Sequence, residues 1–184
     1  MTEWIEFDPV DRITAGAVGP VGQRRFLIQA ERGEAVLSVL VEKEQVAVLS
    51  ARLLQLLETL DEQVPDEGPV ADAGTVPSVD DQPEAFRCRM MRLGFDSGRD
   101  LVVLELFEET PAGLEELEED ADPHEIDEEL EEGALGQVAR LYATRSQMRM
   151  VALRGAEAVA SGRPLCRLCM LPMDPDGHDC PSKN

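Results

Sequence analysis

The sequence predicts an α+β domain: a mostly antiparallel sheet of about five or six strands, covered on one face by two helices and followed by a small zinc-binding tail. Three observations lead there. Short apolar runs bounded by glycine and aspartate turns recur before residue 42 and again between 86 and 107, as hairpins require. Two longer segments, 42–60 and 144–161, carry apolar residues at helical spacing. The last nineteen residues, 166–184, hold three of the four cysteines and one of the two histidines. A chain of 184 residues is long enough to bury its own core, and the hairpin-then-helix order lays helices over a sheet.

Residues 13–18 and 24–30 form the first expected hairpin, joined by G-A-V-G-P-V-G at 16–22. A phosphate-cradling loop is the other use of such glycines, but no Lys-Ser/Thr and no helix follow. Residues 35–41 return after an Arg32-Gly33 turn, with Ala35, Leu37, Val39 and Val41 alternating on one face. In 42–60, Val46, Leu49, Leu53, Leu56, Leu57 and Leu60 fall within about 100° of arc, a buried stripe. Glu42 and Glu44 occupy the first turn, where carboxylates favour the positive end of the helix dipole.

After residue 85, Phe86, Cys88 and Met90 alternate with Arg87 and Arg89, and the phase slips at Met90-Met91, which predicts a bulge. Residues 101–107 are apolar on both faces apart from Glu105, the pattern of a central strand. A last strand is expected over 138–143. Thr144 with Gln147 makes a capping box for the second helix, and Gly162 with Pro164 stops it. Met148, Val151, Ala152, Gly155, Ala158 and Val159 share about 120° of that helix, and so many small residues permit close approach to a neighbour. Arg145 and Arg149 flank the face, with Met150 and Leu153 on the outer side.

The formal net charge of -21 is concentrated in two places. Residues 61–85 carry 8 acidic and no basic side chains, with Pro65, Pro69, Pro77 and Pro83 among them, and residues 110–135 carry 12 acidic and none basic. Neither has a periodic apolar face, so both read as solvated linkers. The chain therefore divides into 1–60, the first half of the domain; 61–85, a linker; 86–109, a hairpin completing the sheet; 110–135, a second linker; 136–165, the last strand and a basic helix; and 166–184, the tail. Polyanions repel such a chain, which disfavours nucleic acid as a partner. No apolar run is long enough to span a membrane, and the N-terminus M-T-E-W-I-E lacks the basic and apolar regions of a secretory signal. A cytoplasmic location is expected, where thiols stay reduced.

In the tail, Cys166-x2-Cys169 has the spacing of a zinc knuckle, and His178-x-Cys180 supplies two further donors after eight residues. Asp174-Pro175-Asp176-Gly177 is a turn able to fold the pairs together. The metal ligands expected are Cys166, Cys169, His178 and Cys180. Two other uses of the cysteines stand beside this one: unligated burial as small apolar groups, and a redox pair, although Cys166 follows a helix end rather than opening a helix. Four protein donors leave no coordination site open, so the zinc is expected to be structural.

The E-K-E-Q-V of 42–46, the T-x-x-Q at Thr144 and above all G-R-P-L-C-R-L-C-M-L-P-M-D-P-D-G-H-D-C-P at 162–181 resemble an actinobacterial family of unknown function with a CxxC…HxC zinc-ribbon-like tail. The likeness covers most of the chain outside the acidic stretches. Members show C-P-x-C-G-x-P-x-D-P-x-G-H-x-C-P, so Cys166, Cys169, His178 and Cys180 fall on the pattern while Arg167 and Met170 depart from its Pro and Gly. The resemblance implies a bacterial cytosolic protein and carries no activity.

With no catalytic constellation in the folded segments, the expected role is a non-enzymatic binding or adaptor module with another protein as partner. Two alternatives remain open. One is a zinc switch in which oxidation of the tail thiols releases the metal. The other is an enzyme or binder acting on a phosphorylated small ligand through Arg24, Arg25, Arg87 and Arg89. The junction of the basic helix with the tail, 145–180, is the expected working surface.

Overall fold

A computed structural model of the chain describes residues 2–64, 79–110, 136–162 and 168. They form eight strands and two helices. The order is β1 (Glu3–Phe7), β2 (Arg12–Val18), β3 (Arg25–Arg32), β4 (Ala35–Val41), α1 (Lys43–Gln63), β5 (Phe86–Arg87), β6 (Met90–Asp96), β7 (Leu101–Phe107), β8 (Gln137–Thr144) and α2 (Arg145–Ala160).

The α+β class and the two helices are as expected, but the strands make two four-stranded sheets instead of one sheet of five or six. The first sheet runs β1-β8-β7-β6 and the second β2-β3-β4-β5. Pairing is antiparallel except for β1 with β8 and β4 with β5. The extra strands have a physical explanation. β1 pairs in parallel with β8, Glu3 opposite Gln137, so its partner lies far along the chain and no hairpin pattern announces it. β5 is only two residues long. The phase slip expected as a bulge at Met90-Met91 is instead the passage between sheets. The Cys88 N–H donates to Leu40 O in the second sheet and the Arg89 N–H to Phe107 O in the first, after which β6 pairs with β7 in unbroken register.

The two sheets and both helices share one apolar cluster. Ile13, Ile28 and Val39 of the second sheet meet Val102, Leu104 and Leu141 of the first, with Val46, Leu53 and Leu57 from α1 and Met148, Val151 and Ala152 from α2. α2 packs against both α1 and β2. Its start is the expected capping box: the Gln147 N–H donates to Thr144 Oγ1 at 3.2 Å and the Thr144 N–H to Gln147 Oε1 at 2.9 Å. The acidic stretch 61–85 begins and ends inside described structure. α1 continues to Gln63. Gln29, on the face of β3 turned away from the cluster, exchanges two 2.7 Å hydrogen bonds with the Asp80 backbone. Val79 is buried against Gly16, and Arg25 pairs with Asp81 and Glu84.

Candidate functional site

The expected metal ligands Cys166, Cys169, His178 and Cys180 lie outside the described residues, and among the described residues no group of three His, Cys, Asp or Glu side chains could hold a metal ion. The four arginines expected to bind a phosphorylated ligand do not converge. Arg24 donates to the Ser161 carbonyl and hydroxyl, Arg25 to Asp81 and Glu84, and Arg87 pairs with Glu42 at 3.3 Å. Only Arg89 lines the groove described below.

The basic helix is not an open cationic surface at its start. Arg145 is 4% exposed and is gripped by Asp100 Oδ1 at 2.6 Å, by the Val64 carbonyl at 2.7 Å and by Asp61 at 3.4 Å. Burial opposes its charge, yet the hydrogen bonds and field of Asp100 and Asp61 outweigh that and raise its pKa. Arg149 pairs with the same Asp61 at 2.6 Å. Met150, expected on the outer side, is buried, whereas Leu153 is exposed as expected. Cys88 is 1% exposed, its thiol pushed up to about 12 by burial despite hydrogen bonds with the Phe107 and Met90 backbone. It is held as an unreactive thiol.

What the structure does assemble is an apolar groove of about 570 Å³ between α1 and β6. From α1 come Glu44, Gln45, Val48, Leu49 and Arg52; from the opposite wall come Arg89, Met90, Met91 and Leu93. Positions 45, 48, 49 and 52 follow the i, i+3, i+4, i+7 stagger of one helix stripe, which shares only Leu49 with the buried stripe. Val48 is consequently 60% exposed. Methionine suits the other wall, since its unbranched thioether adapts to varied shapes.

Gln45 fixes the two walls together. Its Oε1 accepts the Glu42 N–H at 2.8 Å, completing the helix capping box. Its Nε2 donates to the carbonyls of Cys88 at 3.3 Å and Arg89 at 3.2 Å. One side chain thus starts α1 and ties it to the chain entering β6. Beyond that tie, β6 ends its sheet: among the described residues it pairs with β7 alone, and every residue of it is half-buried. Arg52 and Arg89 are exposed, and neither forms an ion pair among the described residues.

A second concavity, of about 330 Å³, lies on the face of the first sheet turned away from the core. Its charges are matched: buried Glu105 sits 2.6 Å from Arg140 and 3.5 Å from Arg92, and Trp4 stacks on Arg140 with 4.7 Å between guanidinium carbon and ring centre. Sequence reasoning saw Glu105 and missed the groove. The usable signals were Val48, apolar but off the buried stripe, and the paired methionines at 90 and 91.

No curated protein and no solved structure matches the chain significantly. A family match does exist, running over residues 5–180 and so including both walls of the groove and all four expected metal ligands. The chain belongs to DUF3090, a family of proteins of unknown function.

Proposed function

We propose that this protein is a non-enzymatic interaction module that docks another protein in the groove between α1 and β6. The observation that carries the reading is an apolar groove, with Val48 largely exposed, set against a strand whose outer edge is unpaired among the described residues. Surface of this kind is costly in water unless a partner covers it. The polar groups of the groove, Glu44, Gln45, Arg52 and Arg89, offer charge and hydrogen bonds to a docked chain.

The same proposal assigns structural zinc to Cys166, Cys169, His178 and Cys180. Three thiols and an imidazole are the donor set that zinc prefers, and four of them close its coordination shell. Metal analysis of the purified chain is expected to find one zinc per chain, lost on Cys180→Ser; a metal-free wild type overturns the assignment.

Docking is tested by panning a random peptide display library against the full chain and re-measuring the enriched peptides on Val48→Gln and Met91→Gln. The expected result is at least about a tenfold loss of affinity on each, about 1.4 kcal/mol. Failure to enrich any peptide, or enriched peptides that ignore both substitutions, overturns the reading.

A further inference from the structure

We infer that the groove is filled by an extended, carboxylate-bearing segment of the partner, which adds as a strand to the open edge of β6 and reaches Arg52 and Arg89 with its acidic side chains. The inference rests on the groove reading above and specifies its ligand.

The edge supplies the first reason. Among the described residues β6 is the last strand of its sheet, and its seven residues span about 23 Å at 3.3 Å per residue. The backbone groups of an edge strand that face away from its neighbour are unspent hydrogen-bonding capacity, which an incoming strand satisfies. A helical partner would leave them unpaired.

The second reason is the side-chain period. Met91, Leu93 and Phe95 face the core side of the sheet, where α1 lies. A strand added to β6 keeps the same alternation, so every second side chain would point under α1 toward Val48 and Leu49. The groove therefore selects small or branched apolar residues at alternate positions. The intervening side chains would lie on the opposite face, away from α1, so the acidic residues that reach Arg52 and Arg89 must share the groove face with the apolar ones, at its ends.

The third reason is charge. In a chain with 38 acidic and 17 basic side chains, most described arginines are neutralised: Arg12 by Glu31, Arg25 by Asp81, Arg99 by Asp8 and Arg149 by Asp61. Arg52 and Arg89 are exposed at the groove without such a partner among the described residues. A guanidinium presents a planar fork that matches a carboxylate. The net charge of -21 repels an acidic ligand at long range and Glu44 lines the same groove, so productive contact depends on these two side chains.

The test uses a fluorescent, end-capped peptide of about eight residues, a common strand length, with glutamate, valine, valine and glutamate at the alternate positions of one face and serine between them. Anisotropy is read with the full chain and with an Arg52→Glu, Arg89→Glu double variant at two exposed positions, whose fold is checked by thermal melt. Two control peptides carry lysine in place of glutamate, or N-methyl groups on alternate amides along one edge. The inference expects binding of the first peptide, at least about a tenfold loss on the double variant, and loss with either control. If the lysine peptide binds as well or better, if N-methylation is harmless, or if the double variant binds normally, the inference fails. In those cases a loss on Val48→Gln keeps groove docking alive, whereas a peptide that ignores Val48→Gln removes both.

Discussion

Gly155 stands where α2 meets both α1 and β2, and Gly155→Ala sets two effects of opposite sign against each other. In an exposed helix interior this change is worth about 1 kcal/mol of added stability. Here a Cβ would meet Ser50 Oγ at 2.5 Å, Val46 Cγ1 at 3.0 Å and Ala15 Cβ at 3.7 Å. Ser50 and Val46 are both buried. The hydroxyl can rotate away, but a β-branched valine in a helix has one favoured rotamer, so the helices must separate or Val46 must leave its well. Overpacking of this kind costs about 1–3 kcal/mol; set against the helix benefit of about 1 kcal/mol, a net loss of up to about 2 kcal/mol is expected. For a chain of this size that is a fall of up to about 8 °C in Tm. Urea and thermal unfolding measure it. Adding Ser50→Ala removes the 2.5 Å contact and leaves the 3.0 Å one, so the double variant should recover about half of the loss, with a coupling energy that identifies the contact. A Gly155→Ala protein more stable than wild type would refute the close approach of the helices.

Other substitutions test the ion pairs, the buried thiol and the tail. Arg145→Met keeps the stem but removes the hydrogen bonds to Asp100, Val64 and Asp61, and should cost about 2–4 kcal/mol in urea unfolding because a charged network is broken from its buried end; a neutral result would mean that the network contributes nothing net. Cys88 should resist thiol reagents in the folded protein and react on denaturation. Its folded pKa lies above the unfolded value, so the unfolded thiol loses its proton first as pH rises; the stability it contributes is complete below 9.0 and is lost between 9.0 and about 12. The advantage of wild type over Cys88→Ala should therefore shrink with pH across that window, and an advantage that grows would reverse the sign. Chelation should expose 166–184 to limited proteolysis while the Tm of the remainder changes little; protection unchanged by chelator would contradict a zinc-held tail.

Local signals made part of this fold legible. β4 and β7 were readable because their apolar patterns are bounded by turns at Arg32-Gly33 and at 96–100, and α2 because its capping box and small-residue face are written within one segment. Long-range features were not. β1 depends on β8. The burial of Arg145, which the helical spacing places only at the flank of the apolar face, depends on Asp61 and Asp100 arriving from α1 and the β6–β7 turn. The division into two sheets did leave a trace, the broken alternation near residue 90, but a bulge and a change of sheet break alternation alike. The groove forms between α1 and β6, which Gln45 ties together, so no single segment carries its pattern, and the arginines singled out by neighbouring position proved to face different partners.

The claim that this groove is the working surface is tested most directly by mapping amide shifts in isotopically labelled protein as a display-selected peptide is titrated in. The account predicts perturbations concentrated at Val48, Leu49, Arg52, Arg89, Met91 and Leu93, with slowed exchange of the edge amides of β6. Perturbations centred instead on Trp4, Arg140 and Tyr142, or confined to residues 145–162, would contradict it.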